Sequence, residues 1–313
     1  MTSRSRFGQT AGGTAALRSP RRRGGGVQSR SINLFYVPTL LVLIVFTVYP
    51  LVSGIQLSLT SWDGYSPEKA FTGVDNYVRM LTDSTFHLVL LNTLVYGVGS
   101  TLIQQVLGLG LAVLLDRPVR GRAVLRAIIY LPVLVSPVIM GTMYYFLFQY
   151  NNGALNTVGA VFGVEKTAWF DDAGIAVAII VIVNSAQFVG ISMIIYLAGL
   201  QSIPEDIKQA ASLDGASGWA HFRHITLPLL QPAFATSIVL NLIGGLKLFD
   251  MIKVLTGGGP GYATNSVSTY ISVAYFNNQA AGYASAMGVV LFVLILTLTL
   301  ALNAGLNRNK LEL

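Results

Sequence analysis

Pro204-Glu205-Asp206-Ile207-Lys208-Gln209-Ala210-Ala211-Ser212-Leu213-Asp214-Gly215-Ala216-Ser217-Gly218-Trp219-Ala220-His221-Phe222-Arg223-His224-Ile225-Thr226-Leu227-Pro228 is a polar island between two long apolar stretches. So polar a segment cannot lie in hydrocarbon, where no water satisfies backbone or side-chain groups. Its Ala, Leu, Trp, Phe and Ile residues nevertheless recur too regularly for an unstructured loop. The island therefore reads as helix-turn-helix-like, a surface on which something packs at the edge of a membrane, and the stretches on either side read as spans.

The rest of the chain agrees. Of 313 residues 53% are hydrophobic and 11% charged, with a mean hydropathy of +0.62, against about 25% charged residues in soluble domains. A helix needs about 20 apolar residues to cross about 30 Å of hydrocarbon. Six stretches qualify, at about 34–60, 88–115, 123–148, 174–201, 229–250 and 283–305. The expected fold is an all-α membrane protein with one six-helix domain over 34–306, interrupted by the polar loop 202–228. Residues 1–33, rich in Arg, Gly and Ser and without apolar periodicity, read as a disordered basic tail, and 307–313 as a short second tail.

The net charge of +7 invites a nucleic-acid reading, but seven of the twenty bases stand just before the first span: Arg4, Arg6, Arg18, Arg21, Arg22, Arg23 and Arg30. Membrane topology explains them better. Arg117, Arg120, Arg122 and Arg126 follow the second span, Lys208 and Arg223 lie in the island, and Arg308 and Lys310 end the chain. The alternate loops are acidic or nearly neutral, so the positive-inside rule puts both termini and the island in the cytoplasm. The first apolar run is too long for a signal peptide and lacks a small-residue cleavage site, which predicts an uncleaved helix. With no cysteine in the chain, disulfides, thiolate metal sites and a Cys nucleophile are excluded.

Nothing in the sequence binds a nucleotide: Gly257-Gly258-Gly259-Pro260 lacks the Lys and the helix of a phosphate cradle. Any ATP is hydrolysed elsewhere, and no cofactor is expected in this chain. His221 and His224 have no third ligand near them in sequence, and zinc needs three or four, so they read as surface histidines. Lys247 and Asp250, at i and i+3 near the end of the fifth span, would share a helical face and either neutralise each other or meet a solute. The fourth span carries Asn184, Ser185 and Gln187 with Phe188 and Ile191 beside them, and the fifth carries Asn241 before Gly244-Gly245. Amides that donate and accept, next to an aromatic face, suit a sugar, and they equally suit hydrogen bonds between helices. Gln104 and Gln105 read as such interhelical glue, Pro132 and Pro137 predict a kinked third span, and 255–270 reads as a flexible glycine-rich loop.

The island closely resembles the cytoplasmic loop signature of the permease subunits of bacterial ABC importers, matched here by Gln209-Ala210-Ala211, Asp214-Gly215-Ala216, Phe222, Ile225 and Leu227-Pro228. One position departs: Gln209 stands where the family has Glu, and a neutral amide cannot form that carboxylate's ion pairs, although Glu205 and Asp214 remain nearby. Leu255-Thr256-Gly257-Gly258-Gly259-Pro260, Gly282-Tyr283-Ala284-Ser285-Ala286, Tyr49-Pro50 and Gly73-Val74-Asp75-Asn76-Tyr77 narrow the resemblance. They are similar to the first of the two paired carbohydrate-permease types, which includes the larger maltose permease and the first glycerol-3-phosphate permease.

The resemblance implies a type I importer bundle in the bacterial inner membrane, paired with a second, different permease. It also implies two ATPase subunits carrying ATP and magnesium, and an extracytoplasmic solute-binding protein. The island would be the coupling helix, with Gln209, Ala210, Ala211, Asp214, Gly215, Ala216, Phe222, Leu227 and Pro228 in its signature. Asp214-Gly215 suits the turn between its two short helices. Asn184 matches a sugar contact of the maltose permease, with Gln187, Phe188, Ile191 and Lys247 at neighbouring matched positions; Asn241 and Gly244 complete the expected solute set. The expected solute is a di- or oligosaccharide. The alternative is glycerol-3-phosphate or a glycerophosphodiester, which Lys247 would attract. Outside this class stands an ATP-independent secondary transporter, which would need midplane carboxylates that only Asp250 approaches, whereas a membrane enzyme would need a catalytic cluster that no span carries.

Overall fold

The computed structural model describes residues 28–118 and 120–306. It divides into two compact units, one ending at Leu51 and one running from Val52. Among the described residues every regular element is a helix, and one isolated antiparallel bridge joins Thr60 to Phe71. Helix begins at Gln28, six residues inside the expected tail 1–33; the remainder of that tail, and the tail 307–313 with Arg308 and Lys310, lie outside the described residues.

The helices, in chain order, are α1 (Tyr36–Ser58), α2 (Asp75–Thr82), α3 (Ser84–Asp116), α4 (Arg122–Leu134), α5 (Pro137–Phe148), α6 (Ala154–Val161) and α7 (Ala173–Ser202). They continue with α8 (Glu205–Leu213), α9 (Gly218–Leu229), α10 (Gln231–Leu246), α11 (Asp250–Leu255), α12 (Val267–Ser272) and α13 (Ala281–Leu306). Among the described residues α1, α3, α7 and α13 are long and apolar enough to span a bilayer unbroken, and the pairs α4/α5 and α9/α10 bring the number to six if each bent pair is one span.

Those bends correct two expectations. The third span is broken rather than kinked: α4 and α5 meet at 98°. Pro132 is tolerated inside α4, whereas Pro137 drives Ser136 into an extended conformation (φ −54°, ψ 136°) and restarts the helix as its first residue. The fifth span, expected over 229–250, ends at Leu246, and helix resumes only at Asp250. Lys247 and Asp250 therefore do not share one helical face, and the one ion pair among the described residues is the 3.5 Å i, i+3 contact between Lys208 and Glu205.

The bundle is assembled around α7, with α3, α4 and α10 packed along it. Small residues set the crossings, as they do where apolar solvent gives no hydrophobic drive to bring helices together. A Cβ at Gly108 of α3 would stand 2.4 Å from the Cβ of Ser192 in α7, and one at Gly245 of α10 would stand 2.8 Å from both the Cα of Gly97 and the carbonyl oxygen of Tyr96 in α3. Three buried apolar clusters fill the remaining space. One joins the start of α3 to α12 and α13, one joins α5, α7 and α11, and one joins the ends of α3 and α7 to Leu230.

Asp83 fixes the start of α3 and ties it to α13. One carboxylate oxygen accepts from the Thr85 and Phe86 amides at 2.9 and 3.2 Å, and the other accepts the Tyr283 hydroxyl at 2.7 Å. Burial pushes this carboxyl up, but the Tyr283 hydroxyl, the two amides and the Arg79 charge outweigh it and hold its pKa below the ordinary 3.8. Because the folded-state value is depressed, the stabilisation is present above the unfolded value and is lost as pH falls through the folded one.

Two stability measurements on the detergent-purified protein follow from this packing. Gly245→Ala forces backbone apart and costs about 1–3 kcal/mol, seen as a lower melting temperature; an unchanged melt would mean that α3 and α10 do not touch there. Removing the Asp83 cap by Asp83→Ala costs about 1 kcal/mol at neutral pH. That difference from wild type shrinks as pH drops below 3.8; a difference constant with pH would show that the carboxylate charge contributes nothing.

Candidate functional site

A cavity of about 300 Å³ opens between α7, α10 and the two helix breaks. Asn184, Gln187, Phe188 and Ile191 fall at i, i+3, i+4 and i+7 on α7, so the 3.6-residue period puts them on one face, and all four line the cavity. Asn241 and Gly244 line it from α10, and Lys247 from the break beyond. All seven residues expected to meet a solute thus meet around one space. Further lining comes from residues at or beside the breaks, Pro137, Leu248, Phe249 and Met251, and from Gln104 of α3; Asp250, which the sequence offered as a partner of Lys247 or a solute contact, lines the cavity too. Pro137 was visible in the sequence as a helix interrupter, whereas nothing local marked 247–249 as non-helical.

The polar groups of the cavity differ in what they are already doing. Gln187 Nε2 donates to the Val135 carbonyl at 3.0 Å, closing the α4/α5 break. Asn241 Nδ2 donates to Ser192 at 2.6 Å and to Ser237 at 3.3 Å. Gln104 Nε2 donates to the Asn184 carbonyl at 3.3 Å, and Gln105 accepts the Tyr196 hydroxyl, so both glutamines do join helices as expected. The Asn184 side-chain amide has no hydrogen-bond partner among the described residues. The Oε1 atoms of Gln104 and Gln187 are buried and unpartnered as well. Lys247 and Asp250 are both exposed, are the only charged residues in the lining, and form no ion pair within 4 Å.

At the far end of α7 the island forms the helical hairpin α8–α9. The α8 terminus is a Schellman motif: Gly215 adopts φ +83°, and the Ala216 amide bonds back to the Ala211 carbonyl at 3.0 Å. Gln209, Ala210, Asp214 and Gly215 are exposed, Ala211 is buried, Ala216, Phe222 and Leu227 are partly covered, and Pro228 is exposed. Leu213 is 89% and Trp219 70% exposed, with the Trp219 ring 5.3 Å from that of Phe222. His221 and His224 make local contacts with Thr226 and the Ala220 carbonyl. No group of three metal-ligating side chains occurs among the described residues.

The glycine-rich segment 255–270 is not the loose loop its composition suggested. Thr264, Asn265, Ser266 and Thr269 are buried. Asn92 donates to the Ala263 and Asn265 carbonyls at 2.7 and 3.1 Å, Tyr96 donates to the Thr264 carbonyl at 2.8 Å, and the Val267 amide donates to Thr93 at 2.8 Å. The segment is held in the bundle because α3, far away in sequence, supplies side-chain partners for its backbone.

Long and broken apolar helices around a polar cavity, with an exposed hairpin where the central helix α7 ends, belong to a membrane transport permease. Residues 104–311 match the family described as the binding-protein-dependent transport system inner membrane component, and the chain belongs to that family. It is 36% identical over 267 residues, 85% of this chain and 90% of the other, to the trehalose/maltose transport system permease protein MalF of Thermococcus litoralis. It is 33% identical over 263 residues to the probable starch degradation products transport system permease protein AmyD of Thermoanaerobacterium thermosulfurigenes, covering 84% and 89%. Among solved structures, a bacterial ABC transporter involved in the import of the acidic polysaccharide alginate matches with a TM-score of 0.77 at 25% identity, over 90% of this chain and 98% of that one. The chain is accordingly a multi-pass permease component and not an enzyme.

The unpartnered acceptor on Gln104 carries a stability prediction. A buried polar atom without a partner costs about 1–3 kcal/mol, comparable to or larger than the net worth of the one bond its amide makes. Gln104→Met should leave the melting temperature of the solute-free protein unchanged or raise it; a fall of several degrees would show that Oε1 is satisfied.

Proposed function

We propose that the chain is one of two permease subunits of an ATP-driven importer and that it passes a neutral di- or oligosaccharide through the cavity between α7 and α10. The observation that carries this reading is the free amide of Asn184 beside the Phe188 ring, in a cavity bordered by further amides. Such a set serves ring hydroxyls by donating and accepting, and serves the apolar ring face by stacking. The relatives named for trehalose, maltose and starch products support a saccharide. Lys247 alone would favour a phosphate ester, but Asp250 in the same lining balances it, so the site carries no net charge to attract an anion.

The hairpin α8–α9 is the surface for an ATPase subunit. It presents Leu213 and Trp219 to solvent at the end of the bundle that the distribution of arginines assigns to the cytoplasm. Gln209 lies on its exposed side as an amide. Closure of two ATPases on ATP would push the hairpin, and α7 and α10 run directly from its two ends into the cavity walls. An extracytoplasmic binding protein, as in the alginate transporter crystallised with its periplasmic protein, would deliver solute at the opposite end.

The test is uptake into vesicles holding the complete complex with its binding protein. Wild type should accumulate a neutral oligosaccharide, and Asn184→Ala should reduce uptake tenfold or more; retention of phosphate-ester uptake that Lys247→Gln abolishes would overturn the choice of solute. In the same vesicles Gly215→Asp, which places a Cβ and a carboxylate at φ +83°, should lower solute-stimulated ATP hydrolysis. Unchanged stimulation would remove the coupling role from the hairpin.

A further inference from the structure

A second and larger cleft, about 850 Å³, lies at the end of the bundle opposite the α8–α9 hairpin. Its walls are the end of α5, the turn after it, the segment before α7 and the loop after α11. Tyr145, Tyr150, Trp169 and Phe170 give it an aromatic lining, and Asn151 and Asp171 add an amide and a carboxylate, both exposed.

The walls are built rather than incidental. Asn156 of α6 is buried, at 4% exposure, and spends its amide entirely on them. Its Nδ2 donates to the Tyr150 and Thr167 carbonyls at 3.3 and 2.9 Å, and its Oδ1 accepts from the Thr167 amide at 3.1 Å and from Trp169 Nε1 at 3.2 Å. Phe148 packs edge-on against Trp169 and Phe170, at 5.9 and 6.1 Å, and Tyr145 stacks parallel to Phe170 at 6.3 Å. Tyr150, 49% exposed, takes part in none of these ring contacts. The neighbouring carboxylate Asp172 is committed to the α7 N-terminus, where it accepts the Ile175 amide at 2.8 Å, whereas Asp171 has no such commitment.

The cleft also lines up with the central cavity. Pro137 at one end of α5 lines the cavity, and Tyr145 and Phe148 at the other end line the cleft. Met251 and Leu255 of α11 do the same. The twelve residues from Pro137 to Phe148 cover roughly 16 Å along α5 at a rise of about 1.5 Å per residue. The two spaces thus lie in series along the same pair of short helices.

We propose that this cleft is a second saccharide subsite, which takes a sugar ring of the incoming chain before it enters the central cavity, with Tyr150 offering the stacking face and Asn151 and Asp171 the hydroxyl partners. No Lys, Arg or His lines the cleft. With one carboxylate and no cation it selects neutral saccharides against uronates and phosphate esters, whose charge Asp171 repels. This rests on the reading of the transported solute as a saccharide.

The chain has three tryptophans. With Trp62→Phe and Trp219→Phe, Trp169 reports on the cleft alone in the assembled complex when the other subunits' tryptophans are likewise replaced. Titration with maltotriose, trehalose and raffinose, without binding protein, should change Trp169 fluorescence for at least one of them, and an alginate trisaccharide should not. Adding Tyr150→Ala and Asp171→Asn should raise the half-saturating concentration roughly tenfold, while Asn184→Ala should leave this titration in place and abolish uptake. No response to any neutral probe, a response that the two cleft substitutions do not move, or a response lost with Asn184→Ala would each overturn the subsite. If the cleft substitutions weaken docking of the empty binding protein and leave the titration unmoved, the cleft is a protein surface and the proposal fails. Wild-type vesicles that take up no saccharide would overturn the transport reading and this one together, whereas intact uptake with a silent cleft would overturn this one only.

Discussion

Breaking a helix at membrane depth frees backbone carbonyls that no water can reach, and irregular backbone survives there only where protein or a wet cavity satisfies it. This chain breaks twice around its central cavity, and a side chain from another element answers each break. Gln187 of α7 donates to the Val135 carbonyl at 3.0 Å, and Ser266 donates to the Leu248 carbonyl at 2.7 Å. The residues at and beside both breaks, Pro137, Lys247, Leu248, Phe249 and Asp250, form part of the cavity wall. Ser266 can reach Leu248 only because Asn92, Thr93 and Tyr96 hold the segment before α12 inside the bundle. The start of α3, the 263–267 segment and the α10/α11 break are therefore one connected hydrogen-bonded structure.

Against these breaks stands a part of the bundle that has no slack. At Gly108 and Ser192, and at Gly97 and Gly245, α3 approaches α7 and α10 so closely that a single methyl group would collide. The same interface carries Ser237 to Ser192 at 3.1 Å, Asn241 to Ser192 at 2.6 Å and the Tyr196–Gln105 contact. Close backbone approach shortens these polar contacts, and the polar contacts fix the rotation of each helix about its own axis. Rotation is what decides whether Asn184 and Asn241 point into the cavity or into the packing, so the glycine contacts position the site without touching it.

Much of this was legible in the sequence, and the reasons for the rest are specific. The polar patch of α7 was legible as amides beside an aromatic, and the family resemblance singled out Asn184, Gln187, Phe188 and Ile191, which line the cavity; Ser185, read with them, bonds instead to the Val181 carbonyl at 2.6 Å. The hairpin was legible because Asp214-Gly215 combines a helix end with a residue free to take φ +83°. The break at Pro137 was underestimated as a kink, because a proline fixes the residue before it but not the direction in which the next helix leaves. The break after Leu246 had no proline, and apolar residues continue through it, so hydropathy carried the span past its end. The burial of Thr264, Asn265 and Ser266 ran against composition: Asn92 and Tyr96, about 170 residues away, hold the Asn265 and Thr264 carbonyls, Ser266 donates to the Leu248 carbonyl across the α10/α11 break, and no local pattern registers these contacts. Gln104 and Gln187 were each assigned one role, whereas an amide has two ends, and in both residues the nitrogen joins elements while the oxygen stays unpartnered at the cavity.

The loss of a shared helical face for Lys247 and Asp250 changes what these charges mean. A lone charge at the centre of a bilayer costs at least about 2.5–3.5 kcal/mol, and a direct ion pair would have been the simplest way to reduce it. The two residues instead sit on either side of the helix break, exposed and unpaired, in the lining of one cavity. Charged groups held apart in this way are satisfied by solvent or solute rather than by each other. A volume of about 300 Å³ holds on the order of ten waters at about 30 Å³ each. The cavity has room for water, and on the proposed reading a solute that enters replaces it at Lys247, Asp250 and the free Asn184 amide at once. A polyhydroxylated neutral molecule does this at low cost, because each hydroxyl donates to Asp250 or accepts from Lys247 as water did, whereas an anion satisfies Lys247 and leaves Asp250 facing a like charge.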